Sequence, residues 1–114
     1  MREPFIGSEA LREGRLTRHT LRTRFVAVYP GVYLAAEAEP TAVSKAKAGA
    51  LWTGRDGIVA GCSAAALHGS RWVSAKAPAE VLWDNRRAPR GLRVWSDVVA
   101  DDEVQTIGGI RVTT

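Results

Sequence analysis

Few residues in this chain are of a type that does covalent or metal chemistry. There are two histidines, His19 and His68, and one cysteine, Cys62. Cys62 and His68 are six positions apart, a spacing that does not put two side chains on one helical face. No third catalytic partner lies beside them, so a Cys–His nucleophile is not indicated and a structural role is expected for all three. The carboxylates offer one cluster, Asp101-Asp102-Glu103. A restriction-type nuclease site needs an Asp and a Glu-x-Lys on adjacent strands to hold a divalent ion. Glu80-Val-Leu has no lysine two residues on, and the acidic run has none nearby, so the run is expected to border a turn. The glycines at 54, 57 and 61 lack the lysine and hydroxyl of a phosphate loop, and no dinucleotide fingerprint is present. The expectation is a chain that is not an enzyme and holds no cofactor and no metal.

The residues that stand out instead are arginines. Thirteen of the sixteen basic residues are arginine, against twelve acids, for a net charge of +4. Arginine presents a planar fork that suits phosphate and guanine edges. Residues 12–24 hold Arg12, Arg15, Arg18, Arg22 and Arg24 against one acid, Glu13, and a second group comprises Arg86, Arg87, Arg90 and Arg93. Residues 97–103 carry the opposite sign, with Asp97, Asp101, Asp102 and Glu103. A run of like charge is often no more than a solvated face. The first group gains weight from the elements around it.

Those elements read as follows. Ser8 to Gly14 is a short helix, with Ser8 as cap and Gly14 as stop. Thr17 starts a second helix to Arg24, with Leu16, Thr20 and Leu21 inward and Arg18, Arg22 and His19 outward. Phe25–Tyr29, the turn Pro30-Gly31 and Val32–Leu34 form a β-hairpin. Helix, turn, basic helix and hairpin is the order of a minimal winged helix-turn-helix, with the hairpin as wing. In that arrangement Arg15, Thr17, Arg18, His19, Arg22 and Arg24 are the DNA-binding set. Arg18 and His19 would read bases, and Arg15, Arg22 and Arg24 would hold phosphates of double-stranded DNA. The wing tip carries no charge.

Beyond a small acidic linker, Thr41 caps a helix running to about Gly54, with Val43, Ala46, Ala50 and Leu51 on its inner face and Lys45 and Lys47 off it. Gly57–Gly61 is a connector or short strand, and Ser63 is placed to cap a small-residue helix over residues 64–69. Ala79–Trp83, Leu92–Trp95, Val104–Ile107 and Ile110–Val112 read as strands, the last two joined by a Gly-Gly turn. The expected fold class is α+β. A winged helix-turn-helix over residues 1–38 packs with a small α/β unit over 39–114, whose helices are 41–54 and 63–69. Among the tryptophans, Trp52 and Trp72 are expected in the core. Trp83 and Trp95 are expected to share a sheet face, more as core than as a stacking platform.

Length and composition bound the rest. With 114 residues the chain is one domain or a domain with a small appendage. The longest uncharged stretch, Gly57–Ser70, is 14 residues and interrupted by polar residues, too short to span a bilayer. A lone cysteine and no signal-like N-terminus lead to the expectation of a cytoplasmic protein without membrane partners.

Taken together, Gly14-Arg-Leu-Thr-Arg18, Pro30-Gly-Val-Tyr33, Ser63-Ala-Ala-Ala-Leu-His-Gly69 and Gly109-Ile-Arg-Val-Thr-Thr114 fall in the order seen in AbiEi-type antitoxins. The chain also resembles the actinobacterial proteins that place this region before a very-short-patch-repair-like endonuclease domain. Pro4-Phe-Ile-Gly-Ser-Glu-Ala10 and Leu51-Trp52 make that second likeness the closer. The resemblance covers nearly the whole chain. It implies a winged-helix region that binds DNA and, in antitoxins, represses its own operon opposite a nucleotidyltransferase-like toxin. In those families Val-Thr-Thr leads into a helix with an Arg-Thr-x-x-Asp pattern and further domains, whereas this sequence ends at Thr114. That departure implies a truncated form or a stand-alone module.

Three readings follow. One is an antitoxin-like autorepressor, with a homodimer to read two half-sites. Another is a non-catalytic interaction module that uses its tryptophans and the Arg86–Arg93 loop for an acidic partner. The third is a remnant of an endonuclease-fused protein. Without the helix that follows in its relatives, apolar surface is expected to be uncovered around Trp83, Trp95 or Val112.

Overall fold

The computed structural model describes residues 3–84, 87–96 and 99–114. Arg86 and Asp97, named above in the two charge groups, lie outside the described residues. The described fold is mixed α+β, with four α-helices and two sheets. A short strand β1 (Phe5–Ile6) leads into α1 (Gly7–Arg12) and α2 (Arg18–Arg24). The hairpin follows as β2 (Phe25–Tyr29) and β3 (Val32–Ala35). These strands form a three-stranded antiparallel sheet of order β1-β3-β2. Strand β1 was not foreseen, because two residues are too few to show a period of two.

Next come α3 (Ala42–Trp52), β4 (Ile58–Val59) and α4 (Gly61–Leu67), then β5 (Ala79–Leu82), β6 (Leu92–Trp95), β7 (Val104–Ile107) and β8 (Ile110–Thr113). A 3-10 turn over Asp101–Glu103 carries the acidic run into β7, as expected of a turn border. The second sheet has order β6-β5-β4-β8-β7 and mixes parallel with antiparallel pairs. Its centre is the shortest strand: Val59 of β4 sits between Val81 of β5 and Val112 of β8, and all three valines are fully buried.

Helix α3 lies between the two sheets. Ala46, Ala48, Gly49, Ala50 and Leu51 are all buried, which a one-faced helix would not allow. Small side chains make this possible. A Cβ on Gly49 would stand 3.0 Å from Leu92 Cδ1 and 3.4 Å from Val81 Cγ1. Val43 was expected inward and is exposed instead, because it lies in the first turn, near the solvent end of the helix. Thr41 caps α3 as expected. Its hydroxyl accepts Ser44 N–H at 3.0 Å, and Ser44 Oγ accepts Thr41 N–H at 2.8 Å in return.

Two expected caps are replaced by tertiary partners. Helix α1 begins at Gly7, one residue before Ser8, and Ser8 caps nothing. The Gly7 N–H instead donates to the Gly31 carbonyl of the hairpin turn at 2.9 Å. Helix α4 begins at Gly61, so Ser63 lies inside it. The buried Ser63 hydroxyl accepts Glu80 N–H at 2.9 Å, and the Glu80 carboxylate accepts Cys62 N–H at 2.6 Å. The approach is so close that a Cβ at Gly61, whose φ is +56°, would overlap that carboxylate. The stop of α1 matches expectation. Gly14, at φ +73°, donates to Leu11 O, while Arg15 N–H donates to Ala10 O, the paired bonds of a Schellman end.

The tryptophans divide differently from the expectation. Trp72 is 95% exposed, in the loop after α4. Trp52 meets Trp83 edge to face at 5.3 Å between ring centroids, and the Trp83 indole N–H donates to Asp56 Oδ2 at 2.9 Å. Trp95 is opposite Leu82, one residue before Trp83, so alternation along the strand puts the two rings on opposite faces. Trp95 is exposed beneath the Arg93 guanidinium, 5.7 Å from its ring centroid. Val112, named as a residue to be uncovered, is fully buried under the helical layer.

Two contacts bind the hairpin and α1 to the rest. Tyr29, buried at the end of β2, donates its hydroxyl to Gly91 O at 2.9 Å, a carbonyl that also accepts Ala79 N–H at 3.2 Å. Glu9 of α1 takes both arms of Arg55, at 2.8 and 3.0 Å, from the loop after α3.

Burial pushes the Tyr29 phenol up to about 12, although a nearby Ala79 backbone bond favours the ionised form. A folded value above the unfolded one means stability that is fully present below pH 10 and lost as pH rises toward 12. Absorbance titration of tyrosinate should show one late-ionising phase, coincident with unfolding, that is gone in Tyr29→Phe. That variant should lose about 0.5–1.5 kcal/mol in urea unfolding at neutral pH.

The Glu9 carboxyl is held below its ordinary range, first by its hydrogen bonds to Arg55 and also by that residue's charge. The sign is opposite: its contribution is present above the unfolded value and lost as pH falls through the folded one. Because the pair is partly exposed, Glu9→Gln should cost no more than about 1 kcal/mol at neutral pH. The difference from the parent should vanish in acid, where both forms are neutral, and urea midpoints at the two pH values measure it.

Candidate nucleic-acid interface

The basic helix α2 is built as its sequence suggests. Thr17 is the N-cap, and its hydroxyl accepts Thr20 N–H at 3.1 Å. It also donates to Thr20 Oγ1 at 3.0 Å. Leu21 is buried in a small core with Phe5 and Ala10, to which Phe25 and Tyr33 add their rings. Phe5 meets Phe25 edge to face at 5.1 Å and stacks on Tyr33 at 6.2 Å. This aromatic floor fixes how α2 is rolled, and therefore which side chains it presents to water.

At about 100° per residue, Arg18, Arg22 and His19 fall within an arc of about 100° that begins about 60° round from Leu21, with His19 farthest from it. All three are exposed. Arg24 is about 160° round from Arg22 on the same count. It borders a separate hollow with Phe25, Ala35 and Glu37. Arg15 lies before the helix, with its guanidinium 3.0 Å from Glu13. Thr17 is occupied as a cap. The six residues expected to act together therefore separate into a central trio, a cap, an ion-paired arginine and an arginine on the other flank.

The acids of the surrounding elements are all engaged. Glu3 pairs with Lys47 at 2.8 Å, Glu9 with Arg55 at 2.8 Å, and Glu13 with Arg15 at 3.0 Å. Among the described residues, Arg12, Arg18, Arg22 and Arg24 have no ion pair. The surface around Arg12, Arg18 and Arg22 is thus positive, whereas Arg24 shares its hollow with Glu37, which has no ion pair among the described residues.

The hairpin is not free in the way a wing would be. Tyr29 and Val32 flank its Pro30-Gly31 turn and are both buried in the core formed with α3, β5 and β6. The turn is also tied to α1 through Gly31 O. It is a strut between the two sheets, and its tip has no charge to offer a groove.

His68 does not approach Cys62. Its Nε2 is 2.8 Å from Thr113 O on β8, which fastens the end of α4 to the sheet. Cys62 is exposed and free. Among the described residues, no three His, Cys, Asp or Glu side chains gather to hold a metal ion. Also among them, no helix is long and apolar enough to cross a membrane. Two features of the surface had no sequence signal: the bidentate Arg55–Glu9 pair, whose partners are 46 residues apart, and the depression beside β2.

The likeness to AbiEi-type antitoxins rests on the four short strings quoted above: no family model matches the chain, and comparison with curated proteins and with solved structures gave no match.

Proposed function

We propose that this chain is a non-enzymatic DNA-binding protein of winged-helix type, acting as an antitoxin-like repressor of its own operon. The observation that carries the reading is the charge balance around α2. Every described acid in residues 3–24 is ion-paired, while Arg12, Arg18, Arg22 and Arg24 are not. A polyanion would meet Arg12, Arg18 and Arg22 with no ion pair to displace, whereas Arg15 is paired with Glu13 and Arg24 borders a hollow with Glu37. The order of β1, two helices and a hairpin supports the winged-helix part, with α2 as the recognition helix and the hairpin as its brace. Arg18 and His19 read base edges, and Arg22 and Arg15 hold phosphates on either side. Arg24, on the other flank, meets phosphate only where the duplex bends around the end of the helix.

A single helix of this length reads few base pairs, so two copies on two half-sites are part of the proposal. The antitoxin role, with a nucleotidyltransferase-like toxin as the product it opposes and the cytoplasm as its place, rests on the resemblance alone. The alternative of a non-catalytic interaction module is favoured by one observation, an apolar groove on another surface, taken up below.

Binding to the DNA upstream of its own gene should be measured by gel shift at several salt concentrations. Arg18→Ala and Arg22→Ala should each weaken it, and each should reduce the salt slope by about 1. Only Arg18→Ala should relax sequence preference, by about 1–3 kcal/mol at the base it reads. A double variant that shifts the DNA as well as the parent would remove α2 from the interface.

A further inference from the structure

Strand β2 is one edge of the three-stranded sheet, and the two-residue β1 is the other. Its pairing with β3 shows which backbone groups face outward. Ala36 N–H donates to Arg24 O, so the Arg24–Ala36 and Val26–Leu34 pairs are the hydrogen-bonded ones. The N–H and carbonyl of Ala27, in the alternate pair with Tyr33, therefore point away from the sheet into the open edge. Natural edge strands are commonly guarded by a lysine, a proline or an inward charge. Phe25-Val-Ala-Val-Tyr29 has none of these; its one irregularity is a register shift against β3 between Ala27 and Tyr29, at the turn end of the strand, and Val26 is 56% exposed.

Beside this edge runs a groove of about 410 Å³, with Val26, Val28, Leu34, Ala36 and Pro40 among its apolar walls. Two cations border it, Lys45 and Arg90. Lys45 Nζ donates to Ala75 O at 3.0 Å and to Ala77 O, and meets no carboxylate among the described residues. Its partial burial lowers its pKa, as expected of an ammonium without a counter-ion. Arg24 lies at the near end of β2, beside the one acid of the adjoining hollow, Glu37.

We propose that β2 and this groove form a docking site for an extended, acidic segment of a partner protein, which adds as a fourth strand along β2. The backbone of the segment pairs with the outward groups of Ala27, alternate apolar side chains enter the groove beside Val26 and Val28, and its carboxylates face Lys45 and Arg90. Strand addition draws its affinity from main-chain bonds and its selectivity from alternate side chains. The cations at the rim select the acidic sequence over a neutral or basic one. This surface is separate from the Arg18–Arg22 face of α2, so occupancy and DNA binding are measured independently.

The probe is a capped, fluorescein-labelled heptapeptide alternating glutamate and valine, with a lysine–valine peptide as its counterpart, titrated into the full chain by anisotropy. The acidic peptide should bind saturably and the basic one should not. Ala27→Pro removes one outward donor at an edge position where proline is tolerated, and should weaken binding roughly tenfold. Val26→Asp, at an exposed position, should weaken it by at least as much, and Arg90→Glu should reverse the preference between the two peptides. Urea midpoints close to the parent's show that each variant is folded, and an unchanged gel shift shows that the α2 face is intact.

No saturable binding of the acidic peptide would overturn the proposal, as would binding unaffected by both Ala27→Pro and Val26→Asp. Equal binding of the two peptides would overturn its acidic selectivity. Displacement of the peptide by a single-stranded oligonucleotide would reassign the groove to nucleic acid. Self-association in sedimentation that Val26→Asp abolishes would reassign the edge to a second copy of the chain.

Discussion

The close seating of α3 between two sheets is the constraint on which the molecule depends. A helix can touch sheets on two sides only if its surface is nearly smooth, and Ala46, Ala48, Gly49 and Ala50 supply that smoothness. The sheet beneath meets it with the fully buried row Val81, Val59 and Val112, so strands far apart in sequence are brought together under one helix. Burial of apolar area at about 25 cal/mol per Å² is the main favourable term in such a layer. Here it is gathered by many small groups rather than a few large ones. The arrangement leaves little tolerance for volume: even a methyl group on Gly49 would press on Leu92 and meet Val81.

Once α3 is fixed, the hairpin loses its freedom. Tyr29 and Val32 enter the core that α3 shares with the second sheet, and the Tyr29 hydroxyl closes on a carbonyl 62 residues away. Helix α1 is held from both ends of its surroundings, by Gly31 at its start and by Arg55 on Glu9. These ties turn a motif that could move as a unit into a rigid bracket for α2. Rigid display suits recognition, since a side chain that must find a base edge loses less entropy when its helix is already in place. The same ties withdraw the hairpin tip from any ligand, leaving the chemistry of the N-terminal half on α2 and on the open edge of β2.

Those two surfaces differ in kind. The α2 face is cationic and projects outward, suited to a charged polymer that need not fit a cavity. The β2 edge is concave and apolar, with unpaired backbone groups and cations only at its rim, which suits one extended strand. They are joined at Arg24, the last residue of the helix and the neighbour of the first residue of the strand. A protein that binds DNA with one and a partner with the other would carry both contacts on a single continuous segment, residues 18–29.

The local elements were legible because they are written in local terms. Thr17 and Thr41 cap the helices they precede, Gly14 ends the first helix, Pro30-Gly31 turns the hairpin, and alternation marks β5 to β8. The exposed trio Arg18, His19 and Arg22 followed from helical periodicity once Leu21 was taken as inward. What could not be read was every feature whose partner is distant. Ser8 and Ser63 have the chemistry of caps, yet Gly31 and Glu80 supply what those helix starts require. Lys45 looked solvated and instead reaches two carbonyls in a loop 30 residues on. Trp72 has the area of a core residue but lies in a loop that no element covers. Strand β4, two residues long, carries no period at all and still forms the middle of a sheet. By itself the sequence determined the identity and order of the local elements, because capping, turn and alternation preferences act over a few residues. Only the tertiary structure decided which groups satisfy one another and which apolar edge stays open, because those outcomes depend on which distant segments α3 brings together.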